Sequence, residues 1–401
     1  MNAKPRILVA GAGIGGLTLA ALLFKRGFDV QVCEQARHIG EIGAGIQLSP
    51  NAVKVLRTLG LEEEVNACAF APLAFTGFDW RSGKQLYRTP IKESYEERYG
   101  APYFHIHRAD IHRILKSAVP SEAVKLGARV EDLRSDGDHV IAQMADGSQL
   151  TANVIVGADG IHSAVRKYLH GDAPPRFTGN ICWRGMVQTK DLPPGHIPPT
   201  ASNWLGPHGH VVHYYVRGGQ AVNFVAILET DDWTEESWTT PSSVEELKRA
   251  FQGWHPRLQT LFDHAGEVYR WGLFDRDPLP SWSRGRVTLL GDAAHPMLPF
   301  LAQGAGQAIE DAYALSEWLS ARPEDPVSAL QMYEAERRGR TARVQLGARA
   351  RGRTVHLASA WARFKRNLGF RWQALRDPAA TSHQAEWIYS HDVTTLTRGQ
   401  S

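Results

Sequence analysis

The chain has little cysteine. Its 401 residues include three thiols, Cys33, Cys68 and Cys182. An odd, widely spaced set fits neither a disulfide framework nor a zinc site. The histidines at 105, 107 and 112 lack an H-x-x-x-H spacing backed by a carboxylate, so they are read as structural and no metal is expected. Long apolar runs are also missing. The longest are strand-length, so no membrane span is expected. The N-terminus enters a strand after a few polar residues, which leaves no visible signal peptide. A formal charge of +3 is too mild to argue for a nucleic-acid partner. There is no internal repeat and no low-complexity tract. These absences lead to the expectation of a cytoplasmic protein, monomeric or homodimeric.

With 43% apolar and 22% charged residues the composition is that of a soluble globular protein, and the length suits two domains. Three stretches organise it. Arg6–Ala10 reads as a buried strand, followed at once by Gly11-Ala12-Gly13-Ile14-Gly15-Gly16 and an apolar helix. A second strand, Asp29–Cys33, ends at Glu34, about 20 residues after the first glycine. G-x-G-x-x-G is weak by itself, but inside a βαβ unit with an acid at this distance it marks a dinucleotide site. Gly11 makes the tight turn, Gly13 lets backbone approach a pyrophosphate, Gly16 lets helix pack on strand, and Glu34 accepts from a ribose. The second stretch, Val154–Val156, is another buried strand and runs into Gly157-Ala158-Asp159-Gly160. The third, Val287–Leu290, ends at Gly291-Asp292. It continues through Pro296 and Pro299 to Gly304-Ala305-Gly306 and an amphipathic helix. A helix start made of glycine backbone offers free N–H groups and a positive dipole end to an anion.

Between these lie secondary signals. Gly40, Gly43 and Gly45 suggest backbone held against a ligand or another strand. Asn51 opens a helix ended by Gly60, and Phe75–Arg88 reads as a hairpin. Arg108, at a helix start, suits a phosphate. Strands are expected at Val124–Val130, His139–Met144 and Ser148–Ala152. From about Arg176 to Tyr269 the chain turns aromatic and alternating, with Trp183, Trp204, Trp233, Trp238 and Trp254 and a hairpin around Arg217–Gln220. From Pro326 it is helical and basic, and the face carrying Arg337-Arg338 and Arg349-Ala350-Arg351 reads as solvated. The expected fold is α/β. A Rossmann-like domain of mixed parallel sheet and helices (1–75, 103–175 and 273–350) carries an inserted, mainly antiparallel β-sheet domain (76–102 and 176–272). A helical C-terminal segment (351–401) follows.

The three glycine–acid turns, in this order, resemble the fingerprints of the single-component flavin aromatic hydroxylases, the group that acts on salicylate, 3-hydroxybenzoate and 6-hydroxynicotinate. Glu41–Ile46, Trp183-Arg184-Gly185 and Trp282–Arg286 resemble the same group. The resemblance covers nearly the whole chain, and the W-x-W-x-I-P pattern of flavin halogenases is absent. It implies an FAD enzyme in which NADH, or less favoured NADPH, reduces the flavin. Oxygen then adds to the reduced ring, and a small hydroxy-aromatic acid is hydroxylated. It implies that Gly11, Gly13 and Gly16 take the FAD pyrophosphate with Arg108 nearby. Glu34 would take the adenosine ribose, and Asp159 would serve FAD and the nicotinamide donor. Asp292 would take the ribitol, while the helix start at Gly304 and Ala305 points at the flavin ring. His210 and Tyr214 match a His and Tyr that face the substrate; a spacing of four puts both on one strand face and His213 on the other. Gln47 stands where the nicotinate enzymes carry a His, which argues against a pyridine substrate. Other readings are a flavin oxidoreductase of this fold with a non-aromatic substrate, an NAD-only dehydrogenase, and a binding module. The last would need only the first motif.

Overall fold

The computed structural model describes residues 4–38, 44–92, 94–230, 240–377, 379 and 383–396. Gly40 and Gly43 of the glycine-rich stretch, and Trp233 and Trp238 of the aromatic region, lie outside them. Five parallel strands form the first sheet, in the order Val287–Leu289, Val154–Gly157, Ile7–Ala10, Val30–Glu34 and Val124–Leu126. The four residues of Ile7–Ala10 are all buried, as unbroken apolar strands covered on both faces should be. The helices Ile14–Lys25 and Gly304–Ala321 pack against each other, and Pro326–Val355 packs on the second of these. All three strand-to-glycine turns lie at the carboxyl ends of neighbouring strands of this sheet.

A second sheet of eight strands runs from Thr240–Ser242 at one edge to Gln85–Pro90 at the other. It is antiparallel except where Ala201–Gly206 pairs parallel with Ala74–Asp79. Its outer face carries a separate apolar core built on Trp183, Trp204, Phe224, Phe251 and Trp254. The expected strand Val124–Val130 is two strands. Gly127, at φ +65, turns the chain out of the parallel sheet, and Val130–Asp136 pairs instead in a three-stranded antiparallel sheet. The alternation that suggested one strand runs straight across that glycine.

The reading of the C-terminal basic face as solvated is also corrected. Arg337 is fully buried, Arg349 is paired with Asp275 and Asp277, and Arg351 faces a cavity. The helix is basic because it answers buried carboxylates on the elements beneath it.

Candidate active site

A cavity of about 1260 Å³ runs from the carboxyl ends of the parallel strands to the inner face of the eight-stranded sheet. Gly13, Glu34, Arg108, Asp159, Asp292, Gly304 and Ala305 line it, and so do His210 and Tyr214. Gly11 and Gly16 act beneath the wall. Gly11 sits at φ +107, where a Cβ would lie 2.4 Å from the Ala158 carbonyl oxygen. A Cβ on Gly16 would lie 2.0 Å from the Gly11 carbonyl oxygen, so only glycine lets this helix meet its strand. Gly13 is the opposite case. A Cβ there would meet nothing within 4 Å, because it would point into the open cradle.

Two long helices begin at this wall, Ile14–Lys25 after Gly13 and Gly304–Ala321 after Gln303, and neither has a side-chain cap. Their first N–H groups are left for a ligand. Glu34 accepts from the Ala12 N–H at 2.8 Å and the Ala36 N–H at 2.9 Å, which fixes the carboxylate and leaves lone pairs for hydroxyl donors. Asp159 Oδ2 accepts from the Ala164 N–H at 2.8 Å, while its Oδ1 is buried without a partner. Burial pushes the Asp159 carboxyl up, opposed by Ser163 and nearby N–H groups. Asp292 is exposed and lies on the cavity wall. Desolvation by the cavity walls around it pushes its carboxyl up, and His295 and Arg108 pull it down. An open cradle, two bare helix starts and an orphaned carboxylate oxygen fit FAD, with its pyrophosphate and its row of hydroxyl donors.

The wall is held from behind by a buried charge network. His295 Nε2 meets Asp311 Oδ2 at 2.5 Å, and the Gly291 N–H donates to the same oxygen at 3.2 Å. Arg337 donates from Nε to Asp311 at 2.8 Å, from Nη1 to Glu310 at 2.5 Å and from Nη2 to Gln307 at 2.9 Å. Arg340 also donates to Glu310, at 2.8 Å. The Glu310 and Asp311 carboxyls are thereby held low against the burial that would raise them. This network fixes the Gly291-Asp292 turn to the helix that starts at Gly304.

At the other end, His210 and Tyr214 project from one face of Gly209–Val216. His213 points away and accepts from Trp204 Nε1 at 2.9 Å. The two cavity residues have different neighbours. His210 Nδ1 lies 2.7 Å from His356 Nε2. Tyr214 packs its ring 4.4 Å from His105 and bonds to Gln47, which also accepts from Tyr103 at 2.5 Å. Burial pushes the Tyr214 phenol up, while Arg184 and Gln47 pull it down; burial pushes His210 well down, helped by His356 and Arg351. Arg184 lies 4.2 Å over Trp271, its guanidinium depressed by burial, with a buried Nε that has no hydrogen-bond partner. Arg351 faces the cavity beside Tyr87. Neither arginine was picked out by the sequence reading: Arg184 appeared only inside a motif, and Arg351 only as part of a basic face. Among the described residues no His, Cys, Asp or Glu cluster could hold a metal, and no helix is long and apolar enough to cross a membrane.

Fold and cavity together define a flavin-dependent oxidoreductase whose cavity ends on a mainly antiparallel sheet. The profile of the FAD binding domain family matches residues 4–347, and the chain belongs to that family. It is 44% identical over 356 residues to a 3-amino-4-hydroxybenzoate 2-monooxygenase of Streptomyces platensis, covering 89% of this chain and 90% of that one. It is 39% identical to the 6-hydroxynicotinate 3-monooxygenase of Bordetella bronchiseptica, covering 86% and 91%. HpxO of Klebsiella pneumoniae, solved with FAD and uric acid, superposes with a TM-score of 0.86 at 27% identity, over 96% and 97% of the two chains. The protein is an FAD-dependent aromatic monooxygenase.

Proposed function

We propose that the enzyme takes electrons from NADH and one atom of O₂ to hydroxylate a small hydroxybenzoate-type ring. The observation that carries this reading is the continuity of one cavity from the Gly13–Glu34 cradle to the His210–Tyr214 face. Gly13, Glu34, Arg108, Asp159 and Asp292 would hold the dinucleotide, with Gly304 and Ala305 presenting a helix start to the flavin ring. FAD supplies the electron storage and oxygen activation when bound.

The residues of this chain do the rest. Tyr214, kept protonated by burial, donates to the substrate and orients it. His210, neutral because it is buried, accepts the proton of the ring hydroxyl and so raises ring electron density. Arg351 or Arg184 offers a guanidinium to the ring carboxylate. Phe75, Tyr95 and Tyr103 line the same end and exclude water. A benzoate is favoured over a pyridine because Gln47 already bonds Tyr103 and Tyr214 and so serves the wall. A non-aromatic substrate is disfavoured by this aromatic lining and by the named relatives.

The test is coupling, measured as product formed per NADH consumed across a panel of hydroxybenzoates and hydroxynicotinates. His210→Ala and Tyr214→Phe should keep FAD, lose on the order of 10²-fold in hydroxylation rate and divert electrons to hydrogen peroxide. Wild-type rate and coupling in both variants would place the base elsewhere.

A further inference from the structure

The cavity histidine does not stand alone. His210 begins a row of four titratable groups that leads out of the protein. Its Nδ1 is 2.7 Å from His356 Nε2. His356 Nδ1 is 3.6 Å from Glu229 Oε1, and Glu229 Oε2 is 3.0 Å from His208 Nδ1. The first two groups are buried, at 4% and 5% exposure, and the last two are on the surface, with side chains 43% and 56% exposed. We propose that His210, His356, Glu229 and His208 form a proton relay that carries the substrate hydroxyl proton from the closed cavity to solvent.

The local backbone builds this row. Gly209–Val216 and Ala221–Glu229 are adjacent antiparallel strands, with His210 opposite Ile227. Glu229 is therefore two residues further along the neighbouring strand, and its N–H donates to the His208 carbonyl at 2.8 Å. His208 holds a left-handed φ of +55, an uncommon conformation for a side chain of this size, and there its ring reaches Glu229. His356 arrives from elsewhere, as the C-terminal cap of Pro326–Val355, and fills the gap between the buried ring and the surface carboxylate. Phe300 packs at 5.4 Å from one imidazole and 5.3 Å from the other. Gly352 makes room for Phe300, since a Cβ there would lie 2.5 Å from that ring.

The chemistry requires such a path. A phenol ionised inside a water-excluding cavity must lose its proton to bulk, and a single buried imidazole that kept it would leave two opposite charges at low dielectric. Here the substrate O–H bond breaks as His210 gains a proton on Nε2. The Nδ1 proton of His210 passes to His356 Nε2, and the Nδ1 proton of His356 passes to Glu229. His208 or water then takes it to bulk. Both rings stay neutral overall, and each changes tautomer. Uptake of one proton by the phenolate product runs the same row inward and resets both rings. The 3.6 Å step is the long one; Glu229 is half-exposed and can close it by rotation or through one water. Neutrality of the rings near pH 7 follows from their surroundings. His210 is faced by His356 and Arg351, and His356 by His208, Arg366 and Glu229. Burial comes first in both cases and holds His356 to about 4.

The relay rests on His210 being the base, and the test separates the two claims. Proton release to a pH indicator, and phenolate formation by absorbance, are followed in weak buffer on mixing 3-amino-4-hydroxybenzoate with the FAD-loaded enzyme. His356→Ala should keep FAD and bind the ring acid, yet slow release by at least about tenfold. Added imidazole should restore the rate. Glu229→Gln, a surface change of equal shape, should slow release and shift its pH profile without altering the melting temperature. Unchanged release rates and pH profiles in both variants, with His210→Ala defective, would overturn the relay and leave the base in place. Intact release in His210→Ala would overturn both.

Discussion

A methyl group on Gly45 would lie 2.6 Å from Cε2 of Tyr214 and 2.8 Å from Cγ of Asn223. The Gly45 N–H donates to Asn223 Oδ1 at 2.8 Å, so the strand Gly45–Leu48 is pinned directly on the eight-stranded sheet. Side chains this close must move if a Cβ is added. Gly45→Ala should therefore displace the Tyr214 ring, at about 1–3 kcal/mol of overpacking. FAD content should be nearly normal, because the cradle at Gly13 is untouched. The expected result is a raised KM for the aromatic substrate with more hydrogen peroxide per NADH. Steady-state kinetics with peroxide detection checks it, and a normal KM with full coupling would show that the contact relaxes without consequence.

Arg337 is the pivot of the buried network behind the cavity wall. It bonds Glu310, Asp311 and Gln307 at once, with no solvent exposure. Arg337→Met keeps much of the volume and removes the cation, leaving two buried carboxylates with His295, Arg340 and His391 beside them. The loss should be about 3–5 kcal/mol. It should also loosen the turn that carries Asp292. Thermal unfolding and FAD retention through gel filtration should fall together. A melting temperature equal to that of the native protein would mean that Arg340, His295 and His391 suffice.

Acid should destabilise the fold well before the carboxylates are protonated. Burial holds the His105 and His213 rings down to about 3, depresses His210 as well, and holds His356 to about 4. In the unfolded chain each ring takes a proton near pH 6.5. Below that pH the unfolded state binds more protons than the folded state, so stability falls as pH drops from about 6.5 towards 4. Each fully buried ring contributes at most about 1.4 kcal/mol per pH unit in that window. Melting temperatures between pH 7.5 and 5 measure this. His105→Phe should flatten the slope, since neither nitrogen of His105 has a hydrogen-bond partner to lose. An unchanged slope in that variant would show that His105 is not part of the effect.

The parallel sheet was legible because its signals are local. Each acid, Glu34, Asp159 and Asp292, ends or follows a short buried strand, Asp159 and Asp292 stand beside a glycine, and the structure sets all three on one wall. The spacing of four between His210 and Tyr214 was sufficient to put both on the cavity side of their strand. What the sequence hid depends on distant contacts. His210 and His356 are 146 residues apart, and no periodicity joins them. Basic composition suggested a wet helix face, whereas Arg337 is an internal ion-pair partner. The glycines at the last helix start were read as one unit. Gly304 lines the cavity, but Gly306 packs against Gln303, Asn51 and Ser49, so a charge placed at Gly306 would disturb that polar cluster directly.

The most direct test of the account is isotopic. The purified enzyme is mixed with NADH, a hydroxybenzoate that stimulates NADH oxidation, and ¹⁸O₂ in ordinary water, and the product is analysed by mass spectrometry. Transfer of oxygen from O₂ within one cavity predicts one ¹⁸O atom in the product ring hydroxyl for each NADH consumed in coupled turnover, and none from water. An unlabelled product, or label that enters only from H₂¹⁸O, would contradict it.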